Sequence, residues 1–307
     1  MSDVTAVEVD TGTGELLCSI RERVATVTLN RPHKKNSLSD QLTPALREIL
    51  LQLEARQDVG CVLLTGAGDA FCSGGDVSGM GGGASANSKT PATEQAAEER
   101  AEESAEESAE DRSAPTRAMP NIDERVAELI RKQEALTLRL YELSKPTVAA
   151  LPGAAAGAGL SIALACDLRV AAQTAFITTA FINIGISGDY GSSWFLNRLI
   201  GQSKAKELMF FADRVSAEEC ARLGLINRVF PTETFRTDAF AYAKKLANGP
   251  SMALSRMKRN INRGALQGLR ESLAMEAEHV IASFQTEDAA EAVRAFMEKR
   301  DPRFTGR

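Results

Sequence analysis

The sequence lacks paired cysteines. Its five cysteines lie far apart, form no CxxC pair and are odd in number: Cys18, Cys61, Cys72, Cys166 and Cys220. This pattern argues against a disulfide framework and provides no zinc-site spacing. We therefore expect reduced thiols, most of them in the core, and for Cys72 a packing role rather than a nucleophilic one.

The chain also lacks an excess of basic residues and any long apolar run. Lysine and arginine total 36 against 41 for aspartate and glutamate, so the formal net charge is -5. The chain therefore lacks the excess of positive charge that is typical of nucleic-acid-binding proteins. No stretch approaches the ~20 apolar residues of a membrane span, and residues 1–4 do not begin a signal peptide. We expect a cytoplasmic protein that binds neither nucleic acid nor membrane.

Histidines and nucleotide-binding glycine motifs are scarce as well. The two histidines, His33 and His279, have no carboxylate close in sequence, which favours surface or packing roles over catalysis. No GxxxxGKS/T or GxGxxG motif follows a predicted strand, so these two phosphate-binding motifs are not indicated.

What is present is an ordinary globular composition, with 44% hydrophobic and 25% charged residues in 307. One main domain with an extension is expected at this length. Alternating β-branched residues predict a hairpin over residues 15–20 and 24–29. Apolar residues at helical spacing after Ser39, a plausible N-cap, predict a helix, and residues 60–65 predict a buried strand.

The stretch Gly153–Leu160 is a turn of very small residues between an apolar strand and an apolar helix. Free backbone N–H groups at such a helix start can hold a negative oxygen, although a tight packing turn needs the same small residues. A second glycine turn, Ser73–Asp76, also follows a predicted strand. Together the turns could supply one N–H each, from Gly75 and Ala158, to a single oxygen, which favours the anion site.

Residues 80–120 differ from the rest in composition. Glycine dominates their start, and an acidic Ala-Glu-Glu-Ser theme without large apolar residues follows. Such a segment buries too little surface to offset its ordering entropy, which predicts a flexible insertion. A specific acidic docking segment is the alternative.

Beyond the insertion, strand and helix patterns alternate again. The predicted elements are an amphipathic helix over 122–143, strands over 146–151 and 168–172, a turn at 187–191, a helix ending at Gly201, and mostly helix over 203–307 with a short strand over 225–230. This order predicts an α/β fold with a curved, mainly parallel sheet system.

Several motifs, in order, resemble the crotonase family, which is the enoyl-CoA hydratase and isomerase superfamily. They are Leu29–Pro32, Asn36–Leu38, Phe71–Val77, Lys145–Pro146, Gly153–Leu160, Cys166–Asp167 and the terminal helix pattern at 287–300. The resemblance covers nearly the whole chain apart from the insertion. It implies a crotonase-type ββα spiral core over residues 1–200, containing the insertion at about 80–120, and a mainly helical C-terminal region over 201–307.

The resemblance also implies partners and a substrate. The family's C-terminal helices mediate homotrimers, often paired into dimers of trimers, and the apolar stripe that includes Ile261, Leu273 and Phe284 fits such a role. The same stripe could instead pack within one subunit. The substrate would be an acyl-CoA thioester, with coenzyme A as part of it, and no metal or redox cofactor is implied.

By the same resemblance, the amides of Gly75 and Ala158 form an oxyanion hole for the thioester oxygen. Ala158 is a departure, because the family usually has glycine there. The residues placed around the substrate are Lys34, Ser37, Ser73, Gly75, Asp76, Val77, Ser78, Ala158 and Phe181. Lys34, Lys35 or Lys258 would meet phosphates of coenzyme A, and Asp76 would fix its loop rather than react.

The catalytic carboxylates are the main departure from the family's hydratases. Those enzymes carry two glutamates, at the positions of Ser161 and Phe181 here, so activation of water by a glutamate pair is excluded. Asp189 stands where isomerases of ring-type phenylacetyl-CoA intermediates place their carboxylate, and where 4-chlorobenzoyl-CoA dehalogenases place a nucleophilic aspartate. Apolar neighbours would raise the pKa of Asp189 and suit proton shuttling. The alternative role is an N-cap for the following helix.

The sequence therefore predicts an enoyl-CoA hydratase/isomerase type enzyme with Asp189 as acid/base. Isomerisation is favoured over hydration because one base suffices for it. The alternatives are an acyl-CoA hydrolase or dehalogenase-like enzyme with Asp189 as nucleophile, and a non-catalytic CoA-binding subunit.

Overall fold

A computed structural model of the protein describes residues 5–76 and 121–307. The predicted acidic insertion at 80–120 lies outside the described residues, as do Val77 and Ser78. Within the described ranges, strands and helices alternate as the sequence predicts, and the fold is α/β.

The larger sheet has seven strands in the order β1-β2-β3-β4-β6-β8-β11. The first three are antiparallel, as the hairpin pattern predicts, and the strands from β3 onward pair in parallel. Their bounds are β1 (Val7–Val9), β2 (Leu16–Arg21), β3 (Val24–Leu29), β4 (Cys61–Gly66), β6 (Thr147–Leu151), β8 (Leu168–Ala172) and β11 (Arg228–Phe230).

The smaller sheet has four strands in the order β10-β9-β7-β5. Their bounds are β5 (Ala70–Cys72), β7 (Ala154–Ala156), β9 (Phe176–Thr178) and β10 (Val215–Ser216). The sequence pattern does not predict strand β7, because a run of three alanines has low β propensity. It forms because β5 and β9 flank it in parallel and satisfy its backbone groups.

The helices fill the connections between strands and make up the end of the chain. Their bounds are α1 (Leu42–Ala55), α2 (Ile122–Gln133), α3 (Arg139–Glu142), α4 (Gly157–Ala165), α5 (Ser192–Phe211), α6 (Ala217–Arg222), α7 (Phe235–Ala247), α8 (Ser251–Gly264), α9 (Leu269–Phe284) and α10 (Glu287–Glu298). A π-helical segment, Glu134–Leu138, joins α2 to α3, and short 3-10 helices span Pro32–Lys34 and Phe181–Ile184. The predicted helix end at Gly201 is a kink inside α5.

Helix α4 lies at the centre of the core. All nine of its residues are buried, which explains why its sequence has no polar face. On the other side of the large sheet, α7 buries Phe235, Ala239, Ala243 and Ala247 against the strands. Helix α7 thus belongs to the packed α/β core, and the division of the chain at residue 200 stays a prediction.

The cysteine prediction is confirmed. All five thiols are free and buried, and burial raises the pKa of Cys72 to about 12. Across residues 5–76 and 121–307, no cluster of metal-ligating side chains occurs, and none of the helices has the length and apolar character to cross a membrane.

Candidate active site

The first feature of the site is a backbone amide at Gly75 that points away from its strand partner. The Leu38 N–H donates to the Gly74 carbonyl (2.8 Å), and the Asp76 N–H donates to the Leu38 carbonyl (3.1 Å). In this parallel bridge between Leu38 and Gly75, the N–H of Gly75 itself faces the opposite side. It has no backbone acceptor among the described residues, so it is available to a ligand.

The second feature is the amide of Ala158 at the start of α4. Ala158 is the second residue of the helix, where an N–H has no intrahelical acceptor, and no side chain of residues 5–76 or 121–307 caps this end. Gly157 adopts a left-handed φ of +51°, which turns the chain from β7 into the helix. The fold therefore leaves a second free N–H at this turn.

The two turns that carry these amides lie side by side because the strands that precede them are paired. Strands β5 and β7 run in parallel, so the turns after them meet at one edge of the small sheet. A Cβ placed on Gly74 would lie 3.5 Å from the Ala158 nitrogen and 3.1 Å from the Ala156 carbonyl oxygen. Gly159 allows this approach, since a Cβ there would lie 2.6 Å from the Cys72 carbonyl oxygen.

Asp189 lies in the loop before α5, next to the Gly157 turn. The hydroxyl of Ser161 lies 3.2 Å from the Gly157 carbonyl oxygen and 3.1 Å from the Asp189 carbonyl oxygen. Ser161 is fully buried, so one side chain of α4 fixes the carboxylate-bearing loop beside the free amide of Ala158.

The Asp189 residue is half-buried. Its Oδ1 atom is buried and has no hydrogen-bond partner among the described residues. Burial raises the pKa of Asp189 above the ordinary carboxyl value. A carboxyl group of this kind can take up and release a proton near neutral pH more readily than an exposed aspartate.

The structure does not support the N-cap role for Asp189. The residue that caps α5 is Gly191, and no side chain in the described part of the chain makes a capping bond there. The contact that Asp189 does make with the helix is through its backbone carbonyl, which accepts from the Ser192 N–H (3.2 Å). The carboxyl group is therefore free for other chemistry.

The Phe181 ring forms an apolar wall that lies against both the Gly157 turn and the loop that carries Asp189. Its ring would lie 3.7 Å from a Cβ on Gly157 and 3.2 Å from a Cβ on Gly188. The side chain is buried, at 6% exposure. Gly75, Ala158, Ser161, Phe181 and Asp189 are thus brought together by the fold.

Asp76 and Ser37 support the Gly75 turn through Arg31. The guanidinium of Arg31 pairs with Asp76 (3.2 Å) and Glu15 (3.2 Å) and donates to the Ser37 carbonyl (2.7 Å). Removing one partner from such a buried charge network leaves an uncompensated charge. The ion pair agrees with the expectation that Asp76 fixes its loop.

Asn36 is a supporting residue whose role the sequence pattern does not reveal. It is fully buried with a left-handed φ of +56°, and its side chain bonds to the Arg31 N–H and to the Ala67 and Ala70 carbonyls. Asparagine tolerates that conformation better than most residues do, which is the signal that could have identified it.

The lysines predicted to meet phosphates lie in different places. The backbone carbonyl of Lys34 accepts from the Ser73 hydroxyl (3.3 Å), so Lys34 and Ser73 flank the Gly75 turn. Lys35 pairs with Asp69 (2.8 Å) at the surface. Lys258 instead pairs with Asp167 (2.9 Å), and the Asp167 carboxylate also accepts from the N–H of Thr147 at the amino end of β6. The fold thus separates Lys258 from the two turns.

Comparisons with known proteins identify the family of the chain. The sequence matches the family model described as Enoyl-CoA hydratase/isomerase over residues 19–102 and 116–307. It is 35% identical over 288 residues to a Rhodobacter capsulatus protein named "Probable enoyl-CoA hydratase", covering 94% of this chain and 96% of that protein. It is 32% identical over 292 residues to 1,2-epoxyphenylacetyl-CoA isomerase of Escherichia coli, covering 95% and 98%.

A solved structure gives the same result for the fold. The crystal structure of an enoyl-CoA hydratase from Polaromonas sp. JS666 aligns with a TM-score of 0.78 at 28% identity, covering 95% of this chain and 100% of that one.

Proposed function

The chain belongs to the enoyl-CoA hydratase/isomerase (crotonase) family, and on this premise we propose that it moves the double bond of an enoyl-CoA thioester, with Asp189 as the single acid/base. The observation that carries this proposal is the buried, unpartnered carboxyl oxygen of Asp189 beside two free backbone amides. Among the described residues, the other carboxylate at these turns, Asp76, pairs with Arg31.

The amides of Gly75 and Ala158 would bind the thioester oxygen as an oxyanion hole. Proton removal next to the thioester carbon places negative charge on that oxygen, and fixed N–H dipoles in a dry site stabilise it. Their side-by-side arrangement at the edge of the small sheet supports this role.

Asp189 would carry the proton between two carbons. As a carboxylate it removes a proton from C2 of a 3-enoyl thioester, and the C–H electron pair enters a conjugated dienolate. As a carboxylic acid it then returns a proton to C4, which leaves a 2-enoyl thioester. The atoms and oxidation state balance without a further reactant, so the proposed reaction requires no metal or redox cofactor.

Hydration is less well supported because it usually uses two carboxylates. The positions where the resemblance implies glutamates hold Ser161 and Phe181, and the structure shows the first bonded to backbone carbonyls and the second in an apolar wall. The names of the relatives include both classes, an isomerase of an epoxyphenylacetyl-CoA and enoyl-CoA hydratases, so the preference for isomerisation depends on the residues of this chain.

The test is a comparison of the wild type and Asp189→Asn on paired 2-enoyl- and 3-enoyl-CoA thioesters, with isomer and hydrate quantified separately. We expect the wild type to isomerise, and the variant to lose a factor on the order of 10² to 10⁴ in kcat, the usual contribution of a positioned acid/base. The KM should change little, because the asparagine keeps the shape of the side chain.

Three other results would contradict the proposal. Undiminished turnover by the variant would remove Asp189 as the acid/base. Release of free coenzyme A as the main product would favour the hydrolase alternative. Binding of coenzyme A without turnover of any thioester would favour a non-catalytic subunit.

A further inference from the structure

The loop that carries Asp189 has an unusual backbone. Gly188, Tyr190 and Gly191 all adopt left-handed φ values, of +99°, +51° and +84°. Glycine adopts such values freely, but for tyrosine the value is unfavourable, because its Cβ crowds the following carbonyl oxygen. A loop of this kind keeps its conformation only when surrounding groups hold it.

One of those groups is the side chain of Gln133. Its Oε1 atom accepts a hydrogen bond from the Tyr190 N–H (2.6 Å), on the residue next to Asp189. Gln133 is the last residue of α2, immediately before the π-helical segment Glu134–Leu138. Such segments change which side chains face a site, and they are frequent at functional sites.

A second group is the hydroxyl of Ser161 on the other side of Asp189. It lies within hydrogen-bond distance of the Asp189 and Gly157 carbonyl oxygens, and one hydroxyl has one proton to share between them. The Ser161 side chain therefore links the Asp189 backbone to the turn that presents the Ala158 amide.

We propose that Gln133 and Ser161 are positioning residues that fix the Asp189 carboxyl group relative to the Gly75 and Ala158 amides, an inference that rests on the proposed function of Asp189. Gln133 anchors the chain after Asp189, and Ser161 anchors the carbonyl of Asp189 itself. The carboxyl group is then aimed by its backbone alone and keeps a free oxygen for the substrate.

The test measures isomerisation by Gln133→Leu, Ser161→Ala and Gln133→Glu beside Asp189→Asn. We expect kcat to fall about 10- to 100-fold in the first two, since small misplacements of a catalytic group have effects of that size. Their KM values and their affinity for coenzyme A should stay at the wild-type level. Gln133→Glu keeps an acceptor for the Tyr190 N–H, so its kcat should recover.

The pH profile separates positioning from general damage. The negative charge in Gln133→Glu disfavours ionisation of Asp189 and should move the acid limb of kcat/KM to higher pH. Burial raises the pKa of the neighbouring Tyr190 phenol, and Arg47, Asp189 and Lys132 are the charged groups that act on it, whereas the pKa of Asp189 is raised by burial. The acid limb of kcat/KM is therefore expected to follow the ionisation of Asp189.

Two control variants match the chemistry of these changes. Ser283→Ala removes a helical hydroxyl that also donates to the carbonyl four residues earlier, and Gln52→Leu removes an exposed glutamine on α1. Both should retain wild-type kcat.

The inference fails if Gln133→Leu and Ser161→Ala keep the wild-type kcat and pH profile while Asp189→Asn is impaired. It also fails if they lose coenzyme A binding together with kcat, because that result indicates a general structural role. Full turnover by Asp189→Asn is a separate outcome that contradicts the proposed function itself.

Discussion

At the residue scale, burial raises the pKa of Asp189. The raised pKa suits proton transfer but lowers the stability of the folded protein at neutral pH. The raised pKa means that the folded state binds the proton more tightly than the unfolded chain does. The stability that the protonated form contributes is therefore present at acid pH and is lost as pH rises through the raised pKa. At neutral pH the ionised carboxylate is held at a cost.

The direction of this pKa shift predicts how Asp189→Asn changes the stability of the protein. At neutral pH the variant should have a higher free energy of unfolding than the wild type, because asparagine carries no charge to desolvate. The gain should shrink as pH is lowered toward the ordinary carboxyl pKa, about 3.9, where both proteins are neutral at this position. Urea unfolding across that range measures it, and a gain that grows toward acid pH would contradict the assignment.

At the element scale, the start of α4 depends on the close approach of two backbones. A Cβ on Gly159 would lie 2.6 Å from both the Cβ and the carbonyl oxygen of Cys72, on the paired strand β5. Moving the backbone of β5 would break its pairing with β7 and cost free energy. The absence of a side chain at Gly159 therefore allows the two amide-bearing turns to meet.

Gly159→Ala should therefore destabilise the protein by roughly 1 to 3 kcal/mol, the usual effect of overpacking. Gly264→Ala in α8 is the matched control, since its nearest neighbour is the Ser272 hydroxyl oxygen at 3.7 Å. The control should be neutral or gain up to roughly 1 kcal/mol from helix propensity. Denaturant midpoints compare the two, and equal effects would show that the approach to Cys72 is not limiting.

Elements with strong local signals could be predicted from the sequence, and those formed by long-range pairing could not. Strands β2 and β3 alternate clearly, and the Ser39 hydroxyl accepts from the Leu42 N–H (3.0 Å) as the cap pattern predicts. Strand β7 depends on neighbours far away in sequence, and the helix predicted to stop at Gly201 continues after a kink.

The same limit applies to the candidate site. From the sequence, the glycine turns indicate Gly75 and Ala158, and the family resemblance indicates Ser161 and Asp189, whose roles stay predictions. The role of Gln133 depends on a contact between residues 57 positions apart, and nothing in its local sequence distinguishes it from other glutamines. Val77 and Ser78, predicted to contact the substrate, lie outside the described residues and stay a prediction.

At the scale of the whole molecule, the C-terminal helices leave an apolar surface uncovered. Residues of the predicted stripe are exposed on α8 and α9, among them Ile261 (73%), Leu269 (75%), Ile281 (60%) and Phe284 (72%). The alternative that this stripe packs within one subunit is therefore not supported in the described chain. Exposed apolar patches of this kind mark interaction sites.

We expect the protein to form a homotrimer or a dimer of trimers through this surface. Light scattering should give three or six times the 32.9 kDa chain mass. Ile281→Glu should shift the protein toward the monomer, because it places a charge on the apolar face, whereas Glu276→Gln on the same helix should not. A wild-type mass of one chain would contradict the expectation.

In the proposed reaction, Asp189 moves the proton while two backbone amides hold the thioester oxygen. The most direct measurement follows the C2 protons of a 3-enoyl-CoA thioester in D2O by proton NMR, with wild type and Asp189→Asn at equal concentration. We expect enzyme-dependent loss of the C2 signal with the wild type, and a rate lower by a factor on the order of 10² or more with the variant. Equal rates for the two proteins would show that Asp189 does not move the proton.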